Sequence, residues 1–174
     1  MNQSFPSYLW QYCPYCGIKS FHASADNSMH CEACRKKFYI NASSAVACII
    51  ENMQSEILLA RRAFEPAKGM LDLPGGFVNL DETAENAVKR EIKEELNLET
   101  TSIQYIGSSP NHYLYGEMVY FTLDLGFKCL VKDFTNLRVA DDVASYIFLP
   151  PQQINLQEIC FPSIRNILYL YCKT

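Results

Sequence analysis

Four cysteines near the start of the chain have the spacing of a zinc site. Cys13 and Cys16 form one C-x2-C pair, and Cys31 and Cys34 form a second pair after fourteen intervening residues. Two such turns supply the four soft ligands of a closed tetrahedral site, which leaves no position for water, so the zinc would be structural. Four reduced core thiols are the alternative, and two nearby histidines could replace a thiolate: His22 and His30.

Carboxylates form the second group of residues with the spacing of a metal site. Residues 83–96 have the periodicity of an amphipathic helix. Glu91 and Glu95 fall inside the apolar stripe of this helix, and Glu94 lies at its edge. Buried carboxylates are costly without a cation, and oxygen ligands suit Mg²⁺ or Mn²⁺. The stripe itself consists of Ala84, Ala87, Val88 and Ile92.

The same helix admits a simpler interpretation as a solvated surface helix held by ion pairs four residues apart. That interpretation explains Lys89 and Lys93, but it does not explain carboxylates inside an apolar stripe. Arg90 lies four residues before Glu94, so the two side chains are expected to pair and to orient the carboxylate. The pattern therefore favours a site for a divalent metal.

Residues 75–98 resemble the Nudix signature, G-x5-E-x7-R-E-U-x-E-E-x-G-U, in which U is a bulky aliphatic residue. Gly76 and Glu82 match its first two defined positions, and residues 90–98 match the others with one exception. Asn97 stands where the family has a glycine that ends the helix in a left-handed conformation, and asparagine is the next best residue there. The lead-in at residues 73–76 and the order of ribbon, paired strands and signature resemble zinc-ribbon NADH, ADP-ribose and FAD pyrophosphatases.

The resemblance implies a reaction class and a ligand set. The family hydrolyses the pyrophosphate bond of a nucleoside diphosphate linked to another group X, which gives a nucleoside monophosphate and phosphorylated X. By position in the motif, Glu91, Glu94 and Glu95 would bind Mg²⁺ or Mn²⁺, with the carbonyl of Gly76 as a further ligand. The bound metal would neutralise phosphate charge and lower the pKa of the attacking water.

The resemblance also implies supporting roles for two further residues of the signature. Arg90 would hold a glutamate in place, and Glu82 would support the metal ligands or the loop. The general base is left open, because relatives place it either in the helix or in a later loop. The candidates are Glu94 and Glu95 within the helix, and Glu117, Asp141 and Asp142 beyond it.

Four residues are candidates for binding the substrate. Arg61 and Arg62 follow an apolar run and could face the phosphates, with surface charge as the alternative. Tyr113 and Tyr115 could stack on a base, with a half-buried strand as the alternative. NADH pyrophosphatases carry S-Q-P-W-P-F-P-x-S after the signature, and residues 108–115 here retain only a serine and a proline. This departure argues against NADH specificity. ADP-ribose, FAD, another NAD(H)-like dinucleotide, a nucleotide sugar and an NAD-like RNA cap remain candidate substrates.

The elements that position these residues predict an α+β fold. The apolar runs at 44–51 and 56–61 predict a β-hairpin, and the last helix is expected at 163–172. Further strands are expected at residues 71–78, interrupted by Pro74-Gly75-Gly76, and at 102–107, 119–124 and 146–149. The resemblance specifies a Nudix α/β/α sandwich with a mixed β-sheet, preceded by a small zinc ribbon. We expect the ribbon at residues 1–38 and the Nudix domain at 39–174.

Composition limits the partners and the location of the protein. The net charge is −4, and the basic and aromatic patch at residues 35–39 is small, so nucleic acid is not expected as a partner. No apolar run approaches the length of a membrane span and no signal peptide is apparent, so we expect a cytoplasmic protein that binds a nucleotide-type small molecule. The aromatic C-terminal helix is compatible with a homodimer.

Two other functions compete with hydrolysis. The first is a nucleotide-sensing regulator that uses the Nudix fold for binding while the ribbon contacts a macromolecule. The intact set of glutamates argues against a site that only binds. The second is a zinc-ribbon nucleic-acid protein with an incidental acidic helix, which the negative net charge disfavours.

Overall fold

The computed structural model describes residues 4–140 and 143–173. In chain order, its elements are α1 (Pro6–Leu9), β1 (Phe21–Ala23), β2 (Ser28–Cys31), β3 (Lys37–Tyr39), β4 (Ser43–Ile50), β5 (Ile57–Arg62), β6 (Leu71–Asp72), α2 (Ala84–Leu96), β7 (Thr100–Tyr115), β8 (Met118–Val131), β9 (Val143–Leu149), a 3-10 turn (Pro151–Gln153) and α3 (Pro162–Tyr171). Contacts divide the chain into two units. The first contains residues 4–42 and His112–Phe121, and the second contains Ser43–Asn111 with the chain from Thr122 onward.

The first unit contains a small three-stranded sheet in the order β1-β2-β3, with antiparallel neighbours. Its core has four buried residues: Cys13, Phe21, Met29 and Cys31. A core of this size cannot stabilise a domain by apolar burial alone, so a metal or a neighbouring segment must contribute. The predicted domain boundary after residue 38 stays a prediction.

The second unit is an α+β arrangement with mixed strand directions, as predicted. One sheet has the order β4-β8-β7, with β4 parallel to β8, and the other has the order β6-β5-β9, with antiparallel neighbours. Val46, Cys48 and Ile50 of β4 pack in one core with α2, whereas Ala47 and Ile49 pack in a second core with α3. Since alternate side chains of a strand point to opposite faces, the two helices cover opposite faces of β4.

The predicted β-hairpin at residues 44–51 and 56–61 is wrong, although both strands exist. β4 and β5 belong to different sheets, and an isolated bridge between Glu51 and Ile57 joins their ends. Five consecutive buried residues end β4, a pattern typical of a strand that is covered on both faces and has a parallel neighbour, rather than of a hairpin. The side-chain carbonyl of Asn52 accepts the N–H groups of Gln54 and Glu56, which forms the turn.

β7 and β8 are much longer than the predicted strands at 102–107 and 119–124. Gly107 and Gly126 lie within these strands and allow α3 to pack closely. A Cβ atom at Gly126 would lie 2.6 Å from a side-chain carbon of Ile167, and one at Gly107 would lie 2.8 Å from a side-chain carbon of Leu170.

Both predicted helices are confirmed to within one residue at each end. The strand expected at 71–78 shortens to β6, and the chain that follows pairs with β4 instead of β5: the carbonyls of Pro74 and Gly76 accept the N–H groups of Cys48 and Val46. None of the helices in the described part of the chain has the length and apolar character needed to cross a membrane.

Candidate active site and zinc centre

Helix α2 begins and ends as its sequence indicates. The Thr83 side chain accepts the N–H of Asn86 and caps the first turn. Asn97 ends the helix in the left-handed conformation with φ 55°, as predicted from its place in the signature. These two ends set the length of the helix, and its apolar side chains, such as Val88 and Ile92, decide which face packs on the core.

The buried face of α2 contains two carboxylates. Glu91 and Glu95 are 9% and 7% exposed, and they lie on the same buried face as Val88 and Ile92. Glu94 lies at the edge of this face, with half of its side chain exposed. The sequence-based placement of all three glutamates is thus confirmed, although their role as metal ligands stays a prediction.

Arg90 holds the acidic residues of the signature together. Its Nε and Nη2 atoms donate to the two carboxylate oxygens of Glu82 at 2.9 Å each. Its Nη1 atom donates to Glu91 at 2.6 Å and to Glu94 at 3.1 Å, and Nη2 also donates to the carbonyl of Phe77 at 2.9 Å. Bidentate pairing of this kind fixes the orientation of the guanidinium as well as its position.

Electrostatics follow from this geometry. Hydrogen bonds from Arg90 lower the pKa of Glu82, and the backbone N–H of Asn79 adds to the effect. In return, Glu82 raises the pKa of Arg90 above its ordinary value, so the guanidinium stays charged. The ion pair predicted between Arg90 and Glu94 is present, but Glu82 is the partner that the spacing within the helix could not show.

Two glycines bring the preceding loop against the buried carboxylates. The N–H of Gly75 donates to Glu95 at 3.0 Å. A Cβ atom at Gly76 would lie 2.6 Å from a carboxylate oxygen of Glu91, so only glycine fits there without displacing that side chain. The carbonyl of Gly76 accepts the N–H of Val46 at 2.8 Å, and its proposed role as a metal ligand stays a prediction.

We expect Gly75→Ala to lower the free energy of unfolding by about 3 kcal/mol, from backbone strain and a steric clash. Gly75 has φ +148°, and a Cβ atom would lie 2.0 Å from the carbonyl oxygen of Val46. Urea denaturation measures the change. Gly116→Ala is the matched control, because Gly116 also has positive φ but has open space around its Cβ position. Equal losses in the two variants would contradict the steric argument.

We expect Arg90→Lys to lower kcat/KM of the proposed hydrolysis by about 10- to 100-fold, as for other residues that orient metal ligands. A lysine ammonium cannot hold both oxygens of Glu82 while it also contacts Glu91 and Glu94. Steady-state kinetics measure the change, with the exposed Lys89→Arg on the same helix as the control. Unchanged kinetics in Arg90→Lys would show that charge alone suffices.

The predicted substrate residues lie in two places. Arg62 donates to the carbonyl of Pro66 at 2.7 Å and to Asp72 at 2.9 Å, and Arg61 donates to the carbonyl of Gly69. Both arginines therefore fix the loop between β5 and β6. Asp72 is the partner that sequence reasoning missed, because its pairing depends on the register of β5 and β6. The substrate roles of the two arginines stay predictions.

Tyr113 and Tyr115 stack on each other in the first unit, with ring centroids 6.5 Å apart and planes 12° apart. Glu117 follows in the turn between β7 and β8. Asp141 and Asp142 lie outside the described residues. The roles proposed for these five residues in base stacking or proton transfer stay predictions.

The four cysteines of the first unit form a compact cluster. The Sγ atoms of Cys13 and Cys34 are 3.7 Å apart, as are those of Cys16 and Cys31, and all four lie within 4.8 Å of one another. Zn–S bonds of about 2.3 Å in a tetrahedron place sulfurs about 3.8 Å apart, so the cluster fits zinc. Among the described residues, the cysteines have this compactness and the α2 glutamates do not.

The thiols of the cluster differ in pKa: that of Cys13 is lowered, whereas burial and the neighbouring thiols raise the pKa of Cys16 and Cys34. A hydrogen bond from the backbone N–H of Cys16 is the main cause that lowers the pKa of Cys13 to about 7. Thiolates rather than thiols bind zinc, so a lowered pKa favours metal binding. None of the eight cysteines, all of which lie in the described part of the chain, forms a disulfide.

Comparisons with known proteins agree with this geometry. The model of the NUDIX domain matches residues 42–169. The chain is 32% identical over 127 residues to the NAD-capped RNA hydrolase NudC of Vibrio vulnificus, which covers 73% of this chain and 48% of that protein. It is 31% identical over 137 residues to NudC of Vibrio atlanticus, which covers 78% of this chain and 50% of that protein. The chain thus spans about half the length of these curated relatives.

Solved structures share the fold at lower identity. A NUDIX hydrolase from Nitrosomonas europaea superposes with a TM-score of 0.68 at 22% identity, covering 93% of this chain and 91% of that one. The NUDIX domain of Shewanella oneidensis NrtR, solved with ADP ribose, gives 0.60 at 18% identity, covering 76% and 90%. With the signature helix, the domain match and these relatives, the chain belongs to the Nudix family.

Proposed function

We propose that this chain is a divalent-metal-dependent hydrolase of the pyrophosphate bond in ADP-ribose, FAD or an NAD(H)-like dinucleotide. The products are a nucleoside monophosphate and the phosphorylated second group. The observation that carries the proposal is the pair of buried carboxylates, Glu91 and Glu95, on the core face of α2. A helix that served only for packing would have apolar residues at those positions.

The donor set of α2 fits a hard divalent cation. Glu91, Glu94 and Glu95 provide oxygen ligands only, which suits Mg²⁺ or Mn²⁺ and disfavours softer metals. A carboxylate offers about four lone-pair sites, so a glutamate can hold Arg90 and a metal ion together. When bound, such a metal supplies charge neutralisation of the diphosphate and a more acidic water.

The protein side of the mechanism consists of positioning and proton transfer. Arg90 fixes Glu91 and Glu94 relative to Glu82, so that these carboxylates need little reorganisation when substrate binds. Glu94 is the partly exposed carboxylate of the set and is therefore the one we assign as proton acceptor from water. Glu95 is the alternative base, and its bond from Gly75 N–H suits it better to a ligand role.

The names of the related proteins support the substrate class. NudC proteins are NAD-capped RNA hydrolases, and the NrtR domain was solved with ADP ribose. NAD and ADP-ribose both contain an adenosine diphosphate unit joined to a second group, as FAD does. A substrate with that unit is thus common to the chemistry of the two relatives, and we assign it to this chain.

The proposed zinc has a structural role. Four thiolates close the coordination sphere, so the metal would hold the first unit together rather than activate water. The four cysteine ligands are Cys13, Cys16, Cys31 and Cys34.

Hydrolysis of a substrate panel tests the proposal. The purified chain is incubated with ADP-ribose, FAD, NADH, NAD⁺ and a nucleotide sugar, with and without Mg²⁺, and products are identified by mass spectrometry. Metal-dependent release of a nucleoside monophosphate from one of the first four compounds is expected. Tight binding without cleavage, with Mn²⁺ tried as well, would replace the hydrolase with a nucleotide-sensing protein.

A further inference from the structure

Three exposed tyrosine rings of the first unit each make a cation–π contact with a lysine. The three tyrosines are 55–74% exposed: Tyr12, Tyr15 and Tyr39. The ammonium nitrogens that lie over these rings belong to Lys19, Lys36 and Lys37, at 5.9, 5.0 and 5.5 Å from the ring centroids, respectively. We call these six residues the tyrosine–lysine surface.

These rings are not required by the core of the unit. That core is complete with Cys13, Phe21, Met29 and Cys31, and the tyrosines lie outside it. Tyr12 and Tyr15 flank Cys13 in the first C-x2-C turn. Exposed aromatic residues have a cost in water, so several of them around one small site indicate an interaction surface.

Lysines of this surface follow the cysteines of the cluster closely in the sequence. Lys36 follows the second C-x2-C turn by two residues, and its ammonium lies over Tyr15 of the first turn. The cysteine cluster that joins the two turns therefore also brings this pair together. A rigid aromatic face with an adjacent cation loses little conformational entropy when a ligand stacks on it.

The combination of residue types discriminates between classes of partner. Cores of protein–protein interfaces are enriched in tyrosine but depleted of lysine. Surfaces for single-stranded nucleic acid combine aromatic faces, on which bases stack, with cations that track the phosphates. Every tyrosine of this surface is paired with a lysine, which fits the second class and not the first.

The negative net charge of the chain does not oppose such a partner. Residues 1–42 contain four lysine and arginine residues against two acidic ones, so the excess of negative charge lies in the rest of the chain. Of those two acids, Asp26 is held by Lys37 at 2.7 Å, and this leaves Lys19, Arg35 and Lys36 as the exposed cations for phosphate.

We propose that the tyrosine–lysine surface binds single-stranded nucleic acid, with bases stacked on the tyrosines and phosphates next to Lys19 and Lys36. This reverses the expectation from net charge that nucleic acid is not a partner. The inference does not depend on hydrolysis, because binding to this surface needs neither the α2 glutamates nor Mg²⁺.

Fluorescence anisotropy of a labelled single-stranded RNA of about 12 nucleotides, a length within the range of such sites, tests the proposal. The full chain, prepared with zinc, is titrated without Mg²⁺ at several salt concentrations. Tyr15→Ala is expected to weaken binding about tenfold, as for loss of one stacked base, whereas Tyr15→Phe keeps the ring and the affinity. Lys36→Gln is expected to reduce the slope of log K against log salt by about 0.7.

A second Tyr–Lys pair in the chain provides the matched control. Lys173 follows α3, and its ammonium lies 4.3 Å from the centroid of the exposed ring of Tyr169 in that helix. Tyr169→Ala and Lys173→Gln should leave RNA binding unchanged. Zinc content, measured for every variant, shows that the first unit is intact.

Three outcomes would overturn the proposal. One is an absence of RNA binding by the wild-type chain at low salt. The second is equal loss of binding in the Tyr15→Ala and Tyr169→Ala variants. The third is a change in sedimentation of Tyr15→Ala without a change in RNA affinity, which would assign the surface to self-association. None of these results bears on hydrolysis, so failure here and failure of the proposed activity are distinguishable.

Discussion

Glu94→Gln is expected to lower kcat of the proposed hydrolysis by about a thousandfold, the middle of the range for a positioned acid–base group. The substitution removes a negative ligand for the metal and the proton acceptor at once, while the shape of the side chain is kept. Because half of this side chain is exposed, the free energy of unfolding should change by less than about 0.5 kcal/mol. Steady-state kinetics with Mg²⁺ and urea denaturation measure the two effects separately.

Glu85→Gln is the matched control for this prediction. Glu85 lies in the first turn of the same helix and is exposed, so the variant loses the same charge from α2 without touching the Arg90 cluster. Its kcat should equal that of the wild type. A Glu94→Gln variant with wild-type kcat would remove Glu94 from the mechanism and leave Glu95 or a residue of a later loop as the base.

The glutamates of α2 show how much of this site could be predicted from the sequence. Helical spacing alone placed Glu91 and Glu95 inside an apolar stripe, and the structure buries both of them. Helix geometry is periodic, so residue spacing along α2 translates directly into direction. The placement of these carboxylates was therefore predictable without knowledge of any other element.

The contacts made by Arg90 were only partly predictable, because some of them involve a loop and not the helix. Its pairing with Glu94 follows from the i, i+4 rule, but its pairing with Glu82 and with the carbonyl of Phe77 depends on how residues 77–83 fold back onto the helix. Loop conformation has no periodic signal, so only the resemblance to the family indicated a role for Glu82.

Strand partners were the least predictable feature of the fold. The apolar runs identified β4 and β5, but a short polar break between two strands looks the same whether the strands pair or separate into two sheets. Burial on both faces of β4, which comes from α2 on one side and α3 on the other, is typical of a strand with a parallel neighbour, and β4 pairs in parallel with β8. The pairing of Arg62 with Asp72 was missed for the same reason, because it follows from the β5–β6 register.

Cys31→Ser is expected to abolish zinc binding and to unfold the first unit while the second unit stays folded. Structural zinc contributes about 10–16 kcal/mol of apparent free energy in small zinc domains, far more than four core residues can replace. Cys31 is itself part of that core, so its loss affects both packing and ligation. A colorimetric assay of zinc released on denaturation measures the first effect.

Trp10 reports on unfolding of the first unit, because it is the one tryptophan of the chain and lies in that unit. Its emission should shift to the red in Cys31→Ser, and wild-type protein treated with a chelator should show the same shift. Cys172→Ser, which removes an exposed thiol after α3, is the matched control and should bind zinc normally. Retention of one zinc per chain in Cys31→Ser, with unshifted Trp10 emission, would show that the cysteine cluster is a packing feature and that the first unit folds without metal.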